Sequence, residues 1–336
     1  MTSERIINAA RARAPQKAIR VQYGETMLAL AAERDDFVVL TADLMFATGM
    51  DRFGAAYPER MINLGIAEQN MTGVAAGLAL CGKLPVVCGY AAFTSLRATE
   101  QAKLDAAYNG VKVILTAQSA GLSYGVGGPT HQTYEDVAIM RAIPGMIVLV
   151  PSDASEVDAC LRAALAHPEA APIYIRLGRG PEYLFSTPDA PFRIGRATIL
   201  REGCDIALIA NGAMVFECLL AAEALAALGI TARVINMHTV KPLDTATLRA
   251  AAAEVPAMLV VEEHSRIGGL GAAVLEALDE VPHGPVRRMG LADSFPPIGP
   301  PHVLRDAVGL SARHIVAQAI DLLQARTLTG ACPVSP

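Results

Sequence analysis

Glu68 is the side chain best placed in this sequence to do acid–base chemistry. It lies in Asn63-Leu-Gly-Ile-Ala-Glu-Gln-Asn70, just before the small and apolar run Met71-Thr-Gly-Val-Ala-Ala-Gly-Leu-Ala-Leu80. Residues that small pack closely, so the carboxylate is expected at the edge of a buried surface. There it is costly unless it is hydrogen-bonded or holds its proton more tightly. Such carboxylates cluster at functional sites; the alternative is one that merely favours the positive end of a helix. Three other segments carry polar or aromatic groups in comparable settings. They are Thr41-Ala-Asp-Leu44, Gly89-Tyr-Ala-Ala-Phe93 with Arg97, and Gly128-Pro-Thr-His-Gln132 with Glu135-Asp136.

Regular elements must position these segments. Short β-branched runs at Phe37–Thr41, Leu84–Cys88, Val111–Thr116, Met146–Val150 and Pro172–Arg176 read as strands. Helices are expected over 24–34, 67–81, 94–108, 132–142 and 153–167, the last capped by Ser152 or Asp153. Continuously apolar strands separated by helices imply a parallel sheet covered on both faces. A stretch rich in proline and turn residues, Arg179 to Phe192, reads as a boundary. Beyond it the pattern restarts, with strands at Asp205–Ala210, Thr231–Asn236 and Ala257–Glu262 and helices at 214–228, 244–254, 270–280 and 311–325. The expected fold is therefore α/β, with two open, mostly parallel sheets covered by helices. One domain spans 1–185, a second spans 200–326, and a flexible tail covers 327–336. Three of the four segments follow or flank strands, where open parallel sheets bind ligands.

Composition removes several functions. The 336 residues carry a net charge of -5, with 52% hydrophobic and 18% charged residues. No basic stripe with interleaved aromatics suggests nucleic-acid binding. No apolar run is long enough to span a bilayer, and the N-terminus lacks an apolar signal core. A soluble, cytoplasmic protein is expected. The six cysteines are scattered without a Cys-x-x-Cys pair, and the seven histidines are dispersed without a His-x-x-x-His pair. No metal held by this chain alone is expected. Gly268-Gly-Leu-Gly271 fits neither a dinucleotide fingerprint nor a P-loop, so its glycines read as turn formers.

Together the four segments resemble the pyrimidine-binding domain of transketolase and its thiamine-diphosphate relatives. Val240-Lys-Pro-Leu-Asp244 and Val261-Glu-Glu-His-Ser-Arg-Ile-Gly-Gly-Leu-Gly271 resemble the family's C-terminal domain. The likeness runs over almost the whole chain and implies roles for particular residues. Glu68 matches the glutamate that hydrogen-bonds the aminopyrimidine and lets its amino group act as a base. Phe93 matches the aromatic that stacks on the pyrimidine, with Tyr90 a candidate for the same pocket. Arg97 is expected near the cofactor or a subunit interface. His131 matches the histidine facing the substrate hydroxyl or developing oxyanion. Arg20 and Arg176 match arginines that bind the phosphate of sugar substrates. His264 reads as structural.

Departures from the family are equally informative. The diphosphate and its Mg²⁺ or Ca²⁺ are bound in that family by a Gly-Asp-Gly motif on an N-terminal domain, and this sequence contains no Gly-Asp-Gly. The resemblance thus implies half an enzyme, completed by an N-terminal partner subunit in an α2β2 assembly with the cofactor between subunits. The family run Gly-Glu-Asp-Gly-Pro-Thr-His reads Gly125-Val-Gly-Gly-Pro-Thr-His131 here, with Gly127 in place of the aspartate. Ser119 stands where the family has a histidine, and Ala47 lies near the place of a serine. Fewer polar contacts imply a donor other than the ordinary pentose phosphates. The reading that follows is transfer of a two-carbon ketol unit from a ketose, phosphorylated or otherwise modified, to an aldehyde. The alternatives are the β-subunit of a 2-oxo-acid dehydrogenase, a deoxyxylulose phosphate synthase-like enzyme, or a non-catalytic regulatory subunit.

Overall fold

The computed structural model describes residues 2–187 and 190–329. Its strands are β1 (Gln16–Ala18), β2 (Phe37–Thr41), β3 (Met61–Asn63), β4 (Leu84–Tyr90), β5 (Ile114–Gln118), β6 (Ile147–Leu149) and β7 (Ile173–Arg176). They continue with β8 (Pro181–Tyr183), β9 (Thr198–Arg201), β10 (Ile206–Ala210), β11 (Ala232–Asn236), β12 (Thr239–Lys241), β13 (Met258–Ser265) and β14 (Val286–Leu291). The first sheet runs β12-β6-β7-β5-β4-β2-β3 and the second β14-β13-β10-β11-β9, while β1 and β8 form a small ribbon. Both large sheets are parallel except for one antiparallel edge strand each, β12 and β9.

Burial on both faces explains the composition of these strands. Residues Val39 to Thr41, Val86 to Tyr90 and Ile206 to Ala210 are all buried, as expected where helices cover both sides of a parallel sheet. In the first sheet the chain leaves β2 outward to β3 and returns on the opposite side to β4. The crevice between the C-terminal ends of β2 and β4 is therefore the switch point of that sheet, where open α/β sheets bind ligands. In the second sheet the corresponding switch point lies between β10 and β13.

Several elements differ from expectation for local reasons. The helix expected over 132–142 begins only at Asp136, because Thr133 is held in an antiparallel bridge to Gly121 instead. The stretch expected as a helix over 94–108 contains two wide π-helical segments, Ala92–Arg97 and Ala102–Tyr108. The helix expected to start at residue 24 starts at Ile19. Asp153 caps its helix as expected, accepting from the Glu156 backbone N–H. β12 lies outside the expected strands. It comes from beyond the linker, yet it extends the first sheet by pairing with β6. The closing helix runs Ala312–Thr329, and the rest of the expected tail, 330–336, lies outside the described residues.

Candidate active site at the switch point

Loops from five neighbouring strands converge at the C-terminal edge of the first sheet. After β2, Asp43 adopts a left-handed φ of 60°. Its N–H donates to Asn63 Oδ1 at 3.0 Å, which also accepts from the Gly65 N–H at 3.1 Å. That shared acceptor ties the β2 and β3 loops together. Glu68 follows as the first residue of the helix Glu68–Leu80.

Glu68 is only 1% exposed. Arg97 Nη1 donates to its Oε2 at 2.7 Å, and among the described residues Oε1 accepts no hydrogen bond. Arg97 also lies over the Phe93 ring, 4.5 Å from its centroid. Phe93 and Arg97, four residues apart, lie on one face of the segment Ala92–Arg97. Phe93 is half-buried and offset-stacked with Tyr90 at 6.1 Å.

His131 closes the cluster. Its ring meets Phe93 at 5.6 Å, Tyr90 at 6.0 Å and Tyr124 at 5.3 Å, each edge-on. The Thr130 hydroxyl lies 2.8 Å from His131 Nδ1 and 3.3 Å from Gly127 O. When that hydroxyl donates to Gly127 O it accepts from Nδ1–H, and Nε2 then carries the lone pair. Gly127 is required by this packing. A Cβ there would lie 2.9 Å from His131 Cβ and 3.2 Å from Tyr124 Cδ1. The glycine that replaces the family's aspartate thus makes room for the Tyr124–His131 pair.

Arg179 is a member of the cluster that sequence reasoning missed. It donates to Tyr90 Oη, lies 3.4 Å from Ser119 Oγ, and sits 4.2 Å over the Tyr124 ring. It has no carboxylate partner among the described residues. Ser119, just beyond β5, holds a left-handed φ of 63°, a strained conformation of the kind found at functional sites. The signal for Arg179 is its position three residues past β7, at the same sheet edge as the other residues. It is obscured in the sequence by Arg176, which lies within the strand.

Arg176 is corrected by the geometry. It is buried, and its Nε donates to Asp136 Oδ2 at 2.9 Å while Nη2 reaches Thr133 O and Glu263 O. These bonds place it in the junction between the two sheets rather than as an arm free to grip phosphate. Arg20 is tied to Arg179 through the backbone, its N–H donating to Arg179 O at 3.2 Å. Its side chain lines a cleft of about 170 Å³ with Phe46, Asp51 and Arg52.

His264, read as structural, is bonded within the fold. Its Nδ1 lies 2.8 Å from Ser265 O, and the Ala138 N–H donates to Nε2. The turn at Gly268 is also internally satisfied, because Glu262 accepts from the Leu270 and Gly271 N–H groups at 2.6 and 2.9 Å.

The residues fit one end of thiamine diphosphate better than the other. A buried carboxylate with one unshared oxygen beside a half-buried aromatic suits an aminopyrimidine. No group of three or more His, Cys, Asp or Glu side chains among the described residues could hold a cation. No helix of the described residues is long and apolar enough to cross a membrane.

Fold and site together describe an α/β chain whose buried carboxylate, aromatic rings and histidine gather at a sheet switch point. Residues 16–181 match the family of the transketolase pyrimidine binding domain, and residues 195–315 match the transketolase C-terminal domain. The chain is 42% identical to the 6-deoxy-6-sulfo-D-fructose transketolase subunit of a Clostridium species, over 91% of this chain and 94% of that one. It is 37% identical to an apulose-4-phosphate transketolase subunit of Phocaeicola vulgatus, over 91% and 98%. A split-gene transketolase solved as an inactive β4 tetramer superposes with a TM-score of 0.82 at 41% identity, covering 91% of this chain and 98% of the other. A 1-deoxy-D-xylulose-5-phosphate synthase from Thermomicrobium roseum is 40% identical, but the chain spans only 49% of that relative. The chain belongs to the transketolase family, as a subunit of a split, thiamine-diphosphate-dependent transferase that works with a partner subunit.

Proposed function

We propose that this chain supplies the pyrimidine side of a shared active site that transfers a two-carbon ketol unit from an anionic ketose to an aldehyde. The observation that carries the reading is the Glu68–Arg97–Phe93 unit set beside His131 at the switch point. When bound, thiamine diphosphate supplies the nucleophilic carbon and the electron sink for breaking the C2–C3 bond of the ketose. Glu68 would hold the pyrimidine ring nitrogen through its free oxygen, with Arg97 fixing the carboxylate's orientation. Phe93 offers its face to the ring. His131, steadied by Thr130 and packed against Tyr124, accepts or returns the proton of the substrate hydroxyl.

Arg179 and Arg20 are the groups we assign to the substrate's anionic end. A guanidinium suits planar pairing with phosphate or sulfonate oxygens. The names of the two relatives describe sugars with a sulfo group or a phosphate, and one arginine fork serves either. The partner subunit is assigned the diphosphate and its divalent cation, Mg²⁺ or Ca²⁺, through a Gly-Asp-Gly motif. The assembly we assign is α2β2, in which each partner pairs with one copy of this chain and two such pairs associate.

The test is a donor screen on the assembled complex with its cofactor. Ketoses ending in phosphate, in sulfonate or in an uncharged hydroxyl are offered with a common aldehyde acceptor. Transfer from an anionic donor with a clear preference over the uncharged one supports the reading. Equal use of the uncharged donor, or no transfer from any, contradicts it.

A further inference from the structure

The switch point of the second sheet holds no room for a ligand. Between the ends of β10 and β13, residues Asn211, Gly212 and Glu263 are met by Ala120, Ser123 and Arg176 of the first sheet, leaving a cavity of about 30 Å³. That is space for a water and little more. The place where such a sheet would bind a small molecule is filled by the first sheet's own loop, the one that carries Tyr124 and His131.

The loop is held there by specific bonds. The Leu122 N–H donates to Glu263 Oε1 at 2.8 Å, while Glu263 Oε2 pairs with Arg305, itself forked onto Glu182. A Cβ at Gly121 would lie 2.2 Å from Glu263 Oε1, so the approach requires glycine. Arg176 Nη2 joins Thr133 O to Glu263 O. The Ser265 N–H donates to Tyr134 O at 2.6 Å.

Nearest the chemistry is Gln132, beside His131 and only 2% exposed. Its Nε2 bridges Gly125 O at 3.2 Å and Pro297 O of the second domain at 3.0 Å. The Gly299 N–H also donates to Gly125 O, and Ile298 covers Gly128, whose Cβ would lie 3.0 Å from its Cδ1. The turn Gly125–Thr130 is thus closed by one amide and roofed from the other domain.

We infer that the second domain serves as the positioning device for the acid–base loop, with Glu263 and Gln132 as the positioning residues that fix His131 against Phe93. The inference rests on the proposed role of His131. The second domain then acts on the reaction without touching substrate. Buried groups that hold particular backbone atoms allow no sliding, whereas the loop's own glycines, four from Gly121 to Gly128, would leave it loose.

The experiment uses the full chain, alone and assembled with its partner. Gln132→Leu and Glu263→Gln are compared with wild type by hydrogen–deuterium exchange on the isolated chain and by steady-state kinetics on the complex. The expected result is lost amide protection confined to residues 121–135, with kcat lowered 10- to 100-fold and donor KM changed less than threefold. Unchanged protection or unchanged kcat in both variants overturns the inference. If either variant fails to fold, Ile298→Ala decides instead: Ile298 is 66% exposed, and kcat is expected to fall 3- to 10-fold without loss of assembly. An unchanged kcat there overturns the inference too. A wild-type complex without ketol transfer would sink the proposed function, and the exchange data would still report whether the second domain holds the loop.

Discussion

Arg97 donates to Glu68 at 2.7 Å with its guanidinium carbon 4.5 Å above the Phe93 ring. One side chain therefore contacts both the buried carboxylate and the aromatic ring beside it. The ion pair is asymmetric: Glu68 is buried and Arg97 is exposed at its outer edge. One carboxylate oxygen is thus paired with Arg97, and the other accepts no hydrogen bond among the described residues.

Glu68→Gln keeps the size and the packing but removes the acid. Catalysis in the assembled complex is expected to fall by roughly 10²- to 10⁴-fold, the usual share of a positioned acid or base, with assembly intact by sedimentation. Retained activity in this variant would favour a scaffolding role for the chain.

Gly127→Asp restores the residue found in the family run. The new Cβ must displace His131 or Tyr124, which are 2.9 and 3.2 Å away. Activity is expected to drop by an order of magnitude or more, with overpacking costing about 1–3 kcal/mol of stability. Thermal melts together with kinetics check both parts; wild-type kinetics would show that the ring pair needs no such space.

Arg179 and Arg176 separate cleanly by assay. Arg179→Ala is expected to raise KM for an anionic donor by about 10- to 100-fold, in line with loss of one charge-assisted contact, at near-native stability. Arg176→Ala leaves Asp136 buried without its partner, which typically costs about 3–5 kcal/mol, so it should fail first as a folding defect. The reverse pattern would return the anion-binding role to Arg176.

Glu156 gives a pH signature. Burial pushes its carboxyl up to about 7, against the lowering effect of bonds from the Ser152 N–H and Asn236. The folded state keeps this proton where the unfolded chain has lost it, so the group's contribution falls as pH rises from about 4.5 to about 7. His238, held neutral by burial with its pKa lowered to about 4, has the opposite slope from about 4 to 6.5. The difference in melting temperature between wild type and Glu156→Gln isolates the first effect. It should turn in favour of the variant across that window; a pH-independent difference would contradict the assignment.

Most of the fold is legible in the sequence because parallel strands buried on both faces read as unbroken apolar runs, as at Phe37–Thr41 and Ile206–Ala210. Glu68 is legible because a carboxylate ahead of Met71–Leu80 has few bland explanations. What stays hidden depends on distance along the chain. β12 is three residues long and pairs with β6, some ninety positions earlier. Arg176 misleads because its partner Asp136 is forty residues away, and Arg179 escapes notice because its role emerges only when Tyr90 and Tyr124 meet. The short strands β3 and β14 and the helix Pro301–Ala307 lack periodicity strong enough to announce them.

In the proposed function, this chain holds one half of a cofactor site. Calorimetric titration of thiamine diphosphate with Mg²⁺ tests it most directly, first into the chain alone and then into the chain mixed with a subunit bearing the Gly-Asp-Gly motif. Tight binding only in the mixture is the predicted result; equally tight binding to the isolated chain would contradict it.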